Sequence, residues 1–254
     1  MGRPENDSVP HCAVIPLPLS HTTALSSTAS IAGRSSAPPI RIFIPLFIQQ
    51  RLAPPCQTLP MRLFAAVLPP AEQLAELGHV TDTLHRLPGA DRLRWTSRPG
   101  WHLTLAFMGE VDEELLPELR VRLARAAHRT PPFPLRLHGG GHFGRRALWT
   151  GVAGDLDELR LLAERADAAA RRAGVAMEEH RRYQAHLTLA RARTDETDLR
   201  PFLDTLHTFE GDRWQVAELA LVRSRLPVSG VQGEQPRYET LDAWPLEGGE
   251  VRSG

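Results

Sequence analysis

Apolar and polar positions fall into regular patterns only after residue 60. Met61–Leu68 is almost wholly apolar and is cut off by Pro69-Pro70, which predicts a strand. From Ala71 to Leu87, Leu74, Leu77, Val80, Leu84 and Leu87 recur at helical spacing. Glu113–His128 repeats that pattern with Leu115, Leu116, Leu119, Leu123 and Ala126. Leu156–Ala173 repeats it with Leu159, Leu162, Ala166 and Ala169, and Gly174 marks its stop. Leu199–Leu206 predicts a short helix. Further strands are expected at Leu93–Thr96, His102–Met108, Phe133–His138, Ala147–Val152, Ala185–Ala192, Trp214–Val222 and Tyr238–Trp244. Gly139-Gly140-Gly141 reads as a loop between two of them. Helices and strands alternate irregularly, with several hairpin-like connections. The pattern predicts an α+β fold with antiparallel or mixed sheets rather than a doubly wound parallel sheet.

Residues 1–60 have a different character. They hold 10 of the 22 Pro, only Glu5 and Asp7 as acids, and no helical period. They are expected to be a disordered leader, or sequence ahead of the true start. The domain is expected to span 61–246, with a frayed tail at 247–254. Net charge is zero, so no global basic field points to nucleic acid, and any such contact should be local. No apolar run reaches the roughly 18–20 residues of a membrane span. Both Cys, Cys12 and Cys56, lie in the leader without a zinc-like spacing. All 30 basic residues are Arg, which excludes mechanisms that need a nucleophilic lysine.

One phrase occurs twice: His102-Leu103-Thr104-Leu105-Ala106 and His186-Leu187-Thr188-Leu189-Ala190. On a strand, side chains alternate faces, so each copy buries its Leu pair and presents an imidazole beside a hydroxyl. A core gains from repeating Leu-Thr-Leu but nothing from repeating His. Two such strands facing each other converge two His and two Thr on one small anion, each from one of two similar lobes. Metal binding fits poorly. His-x-Thr supplies one ligand per strand, Thr is a poor zinc ligand, and no acid occupies a matching offset in both copies. Acid–base catalysis fits better, because His changes charge near neutral pH. One neutral imidazole can take a proton from an attacking water while a protonated one supplies the leaving oxygen. The Thr hydroxyls can donate to non-bridging oxygens. Arg191 lies five residues after His186, an odd offset that points away from the cleft unless the strand ends or bends.

The paired motifs, with Phe107 and Gly109 after the first and Arg191 after the second, resemble the two-histidine (2H) phosphoesterases. More narrowly they resemble the RNA 2′,3′-cyclic phosphodiesterases, also known as 2′-5′ RNA ligases. Arg62-Leu63-Phe64-Ala65, Leu93-Arg94-Trp95, Leu148-Trp149, Leu221-Val222-Arg223-Ser224 and Tyr238-Glu239 extend the similarity over about residues 61–246. The resemblance implies a bilobal, pseudo-twofold α+β fold with the cleft between lobes. It implies metal-independent hydrolysis of RNA 2′,3′-cyclic phosphate ends to 2′-phosphomonoesters, with reversal to 2′-5′ ligation as a further activity. By the same resemblance His102 is the proton donor and His186 the proton acceptor, while Thr104, Thr188 and Arg191 hold the phosphate. No cofactor or metal is expected, and the partner is an RNA end rather than a membrane or a second subunit, so a cytoplasmic monomer is expected. Ala185 stands where the family often has Pro, and Arg181-Arg182-Tyr183 varies the approach to the second motif.

Two other readings remain open at this level. One is a phosphodiesterase acting on small cyclic nucleotide phosphates or 2′-5′ oligoadenylates. The other is a protein that binds phosphorylated RNA ends without turnover. His138, His142 and Arg145-Arg146 are expected mainly as solvated loop groups, and His79, His85, His128, His180 and His207 as surface residues. Trp95, Phe107 and Trp149 are expected in the core rather than as base-stacking platforms.

Overall fold

The computed structural model describes residues 60–178, 183–194, 197–227 and 234–249. The expected leader therefore lies outside the described residues, apart from Pro60. In chain order the strands are β1 (Met61–Val67), β2 (Leu93–Trp95), β3 (Leu103–Val111), β4 (Phe133–Phe143), β5 (Ala147–Gly154), β6 (Leu187–Ala192), β7 (Trp214–Val216), β8 (Glu218–Arg225) and β9 (Arg237–Pro245). The helices are α1 (Ala71–Leu84), α2 (Leu116–His128), α3 (Leu156–Arg172) and α4 (Arg200–His207). Pro117 opens α2, where its missing N–H removes no helical hydrogen bond. The residues before it form a separate 3-10 turn.

The strands sort into two sheets, ordered β3-β1-β8-β9 and β2-β6-β5-β4-β7. Every pairing within them is antiparallel. Laid over one another, β3-β1-β8-β9 matches β6-β5-β4-β7, and β2 is the one added strand. This is the expected pseudo-twofold, with a motif strand in each half. Helices α2 and α3 cover one face of the first sheet, while α1 and α4 pack toward the second. The α+β expectation therefore holds, with both sheets antiparallel.

Burial follows the strand period. Along β1, Met61, Leu63, Ala65 and Val67 join the main core, while Phe64 and Ala66 turn to the opposite face. There they meet Ala220 and Val222 of β8 and pack with Tyr238 of β9. Of this small second cluster, Phe64 and Tyr238 line the cleft. In the motifs, Leu103, Leu105, Leu187 and Leu189 are all in the main core.

Three details depart from the sequence pattern. Trp214–Val222 is two strands rather than one. Trp214–Val216 pairs with β4 in the second sheet, and from Glu218 the chain belongs to the first sheet. Gly139-Gly140-Gly141 is not a loop but lies inside β4. A Cβ at Gly140 would come within 2.5 Å of Leu206 Cβ on α4, and one at Gly141 would run into the Trp149 ring. Gly140 and Gly141 thus serve close packing, whereas Gly139, at φ +62, takes the left-handed conformation where β4 slips against β5. Residues 247–249, expected to fray, are instead tied down. Gly248 and Gly249 donate to the Thr130 and His128 carbonyls, and Glu247 pairs with His128. Residues 250–254 lie outside the described residues.

The glycine argument predicts that Gly140→Ala and Gly141→Ala each cost about 1–3 kcal/mol of stability, as overpacked core positions do. Denaturant unfolding checks this, and a loss below about 0.5 kcal/mol for both would contradict the packing account.

Candidate active site

Each motif His stands one residue ahead of its strand. His102 precedes β3 and His186 precedes β6, so neither backbone is committed to the ladder at that point. The His186 Nδ1 lies 2.8 Å from the Gln184 carbonyl. A carbonyl only accepts, so Nδ1 carries the hydrogen and Nε2 is left free. His102 makes the corresponding bond to the backbone of Gly100. Both rings are thus fixed by the residue two positions earlier.

Behind each ring stands an aromatic pair. Phe64 stacks on His102 at 4.5 Å between centroids, and Tyr238 meets it edge-on at 5.1 Å. Phe143 meets His186 edge-on at 4.7 Å, with Trp149 at 6.2 Å. These contacts hold the imidazoles in rotation and strip them of water.

The odd offset of Arg191 is resolved by a β-bulge. Along β5 and β6 the register jumps from Trp149↔Thr188 to Leu148↔Ala190, leaving Leu189 as the extra residue. Each bulge shifts the face alternation by one, so Arg191 returns to the face of Thr188. The same jump occurs in the other lobe, from Ala66↔Thr104 to Ala65↔Ala106, with Leu105 extra. There the residue five after the His is Phe107. Gly109, at φ +67, takes a left-handed conformation just beyond, where β3 slips again against β1.

His102, Thr104, His186, Thr188 and Arg191 line one cavity of about 320 Å³. All five residues singled out from the motifs are therefore brought together. Arg62, Arg94, Ser224, Gln235 and Tyr238 line it too, without having been assigned to the site from sequence. Arg94 is the register partner of Arg191 across β2 and β6. Gln235 accepts from the Ser97 N–H and donates to the Trp95 carbonyl, tying the β9 approach to β2. Among the lining residues there are three Arg and two His but no Asp or Glu. Among the described residues, Arg94 and Arg191 have no carboxylate partner, whereas Arg62 has Glu110 at 3.8 Å. No three His, Cys, Asp or Glu cluster as a metal site among the described residues.

Phe107 corrects the expectation of a core aromatic. It is 45% exposed, lines the cleft and lies under the Arg62 guanidinium at 4.9 Å. Trp95 packs partly against the core and lines the cleft, with its Nε1 donating to the Ala90 carbonyl. His85 is exposed, as expected, and also packs edge-on against Trp95 at 4.3 Å. Trp149 stands behind His186, and His138 pairs along β4 with Gly151 of β5.

The cleft disfavours extra positive charge. Burial holds His102 well below the usual imidazole value, at about 4, and the nearby His186 lowers it further, against a raising effect of the Gly100 bond. Burial and Arg191 also lower His186, against its bond to Gln184. Burial raises Tyr238, opposed by the charges of Arg191, Arg62 and Arg94. Two neutral imidazoles therefore stand among three guanidiniums, a setting that an anion completes.

The 2′-5′ RNA ligase superfamily model matches residues 69–226. A Thermus thermophilus protein named RNA 2′,3′-cyclic phosphodiesterase is 34% identical over 203 residues, covering 74% of this chain and 91% of its own. An Escherichia coli protein of the same name is 31% identical over 188 residues, covering 74% and 97%. The crystal structure of E. coli LigT complexed with 3′-AMP gives a TM-score of 0.58 at 30% identity, covering 74% of this chain and 98% of that one. A T. thermophilus crystal structure gives 0.59 at 29%, covering 75% and 100%. The extent of the family match, together with the duplicated His-x-Thr strands facing one cleft, shows that the chain belongs to the 2′-5′ RNA ligase superfamily.

Proposed function

We propose that this protein hydrolyses RNA 2′,3′-cyclic phosphate ends to 2′-phosphomonoesters, with His102 and His186 as paired acid and base. The observation that carries the reading is the convergence of both His and both Thr on a cleft lined with Arg and without a carboxylate. Water attacks phosphorus and loses a proton to the neutral imidazole of His186. The P–O3′ bond breaks, and the O3′ takes a proton from His102. The nucleophile and leaving group stand on opposite sides of phosphorus, which suits one His from each lobe. Thr104, Thr188 and Arg191 hold the non-bridging oxygens. Hydrogen bonds to such charged groups are worth about 1.5–3 kcal/mol each. With a 5′-hydroxyl in place of water as the nucleophile, the same two groups in the same roles open the cyclic phosphate at P–O3′ and leave a 2′-5′ bond. A monomer acting in the cytoplasm belongs to the same proposal, with every proposed acid, base and phosphate-holding group drawn from one chain.

The direction of the His shifts bears on the roles. A singly protonated pair is needed, and an empty cleft resists that proton. A bound phosphate anion favours the imidazolium, so substrate supplies the charge that readies the acid.

Phe107 and Arg62 give the cleft its other chemistry. A nucleobase has a π-face that stacks on an aromatic ring or a guanidinium plane. With Arg191 at the matching position of the other lobe, the phosphate lies toward the second sheet and the terminal base toward Phe107.

The direct test uses an oligonucleotide ending in a 2′,3′-cyclic phosphate, in EDTA. Turnover to the 2′-phosphate is expected, and His102→Ala and His186→Ala should each lower kcat by about 10²–10⁴. An oligomer left intact with wild-type protein overturns the reading, while turnover of small cyclic mononucleotides alone restricts the substrate. The pH profile follows from the lowered His values. The singly protonated free cleft peaks on the acid side of the ordinary value of about 6.5. So kcat/KM should fall as pH rises from 6.5 to 8, and the alkaline limb of kcat should lie higher. A kcat/KM that climbs steadily to pH 8 contradicts it. Phe107→Ala should raise KM for the oligonucleotide about 5–150-fold, from about 1–3 kcal/mol of lost stacking, with kcat little changed. Equal KM values for wild type and variant would remove Phe107 from the site.

A further inference from the structure

We propose a second anion site on the outer groove between α2 and α3, taking a run of linked phosphates. A cavity of about 350 Å³ there is lined by Arg122, Arg125, Arg129, Arg165 and Arg172, with Glu164 as the only acid. Its size falls within the roughly 300–1,000 Å³ of small-ligand sites.

The arrangement follows from helical spacing. Arg122, Arg125 and Arg129 recur at i, i+3 and i+7 along α2 and its last turn. Arg165 and Arg172 stand seven apart on α3, with Ala168 between. Each stripe spans about 10 Å, at 1.5 Å per residue. Ala126 and Ala169 lie at the floor, and their small side chains leave room between the two rows. The rows cannot spread apart, because the inner faces of both helices are locked in the main core by Leu119, Leu123, Leu162 and Ala166.

Few of the charges are answered. Arg122 pairs with Glu118 at 2.7 Å, and Arg165 donates to Thr130 Oγ1 at 2.8 Å. Arg125, Arg129 and Arg172 have no carboxylate partner among the described residues. Three guanidiniums without a carboxylate partner thus line one cavity that holds a single acid, Glu164, in a chain of zero net charge. Guanidinium forks match phosphate oxygens bidentately, and several phosphates in a row would answer all three.

The site is separate from the catalytic cleft. Helices α2 and α3 lie on the core face of the first sheet, whereas His102 and Thr104 open on the other face. One phosphate chain could be a free polyphosphate or the backbone of an RNA strand, and the probes distinguish them.

Calorimetry on the full chain would use inorganic tripolyphosphate and a single-stranded RNA oligomer ending in a 3′-hydroxyl. Binding of at least one probe is expected. Arg125→Gln/Arg129→Gln/Arg172→Gln should weaken it at least tenfold at an unchanged thermal midpoint, while Arg94→Gln/Arg191→Gln in the cleft should not. For RNA the slope of log K against log salt should be about −2, as three contacts to a single strand give. The proposal is overturned if neither probe binds, if the cleft variant alone abolishes binding, or if the triple variant binds like wild type.

Discussion

A strand cannot bury Leu103 and Leu105 without turning His102 and Thr104 the other way, and the site of this protein rests on that constraint. The core demands the Leu pairs in both motifs, and each pair is fully or almost fully buried. The His and Thr side chains are then delivered to the opposite face at no added cost in design. The bulge at Leu105 and at Leu189 adds the next residue, five positions on, to the same face. Because the device occurs twice, the lobes meet with like chemistry at the motif positions. They differ at the residue beyond the bulge, where one lobe supplies Arg191 and the other Phe107. The asymmetry of the cleft is thus written at one pair of positions.

The backs of the imidazoles matter as much as their fronts. Carbonyls two residues earlier hold the N–H side, and aromatic rings exclude water from the flanks. Burial then makes a positive ring costly, and Arg191 adds to that cost at His186. A phosphate reverses both effects. The cleft is accordingly less a preformed acid than a place where substrate charge creates one.

Much of this was legible in the sequence because its periods are local. The three long helices, the motif strands and the paired His and Thr follow from spacing within a few turns or pleats; Arg191 does not, since its odd offset pointed away from the cleft and only the family resemblance placed it there. What was not legible depends on partners far away in the chain. Gly140 and Gly141 look like a loop until Leu206 and Trp149 are seen to fill the space where their Cβ atoms would be. The break at Ala217 cannot be read from an apolar run, since both halves are good strand. Phe107 looked like core because an isolated apolar residue carries no sign of the bulge that turns it outward. Arg62, Arg94 and Tyr238 sat in segments that marked the family resemblance. Nothing local singled them out for the cleft, and sheet order brings them there.

The central claim is that two half-buried neutral imidazoles, fixed by their backbone partners, become an acid–base pair when an anion enters. Nitrogen-resolved NMR of the His side chains tests it most directly, in the free protein and with a 2′-phosphorylated nucleotide bound. The account predicts that His102 and His186 both titrate below 6.5 when free and that His186 shows the Nδ1–H form. It also predicts that the bound phosphate raises the titration of at least one of them. Titration of both rings near the ordinary value of about 6.5 in the free protein, unmoved by the nucleotide, would contradict it.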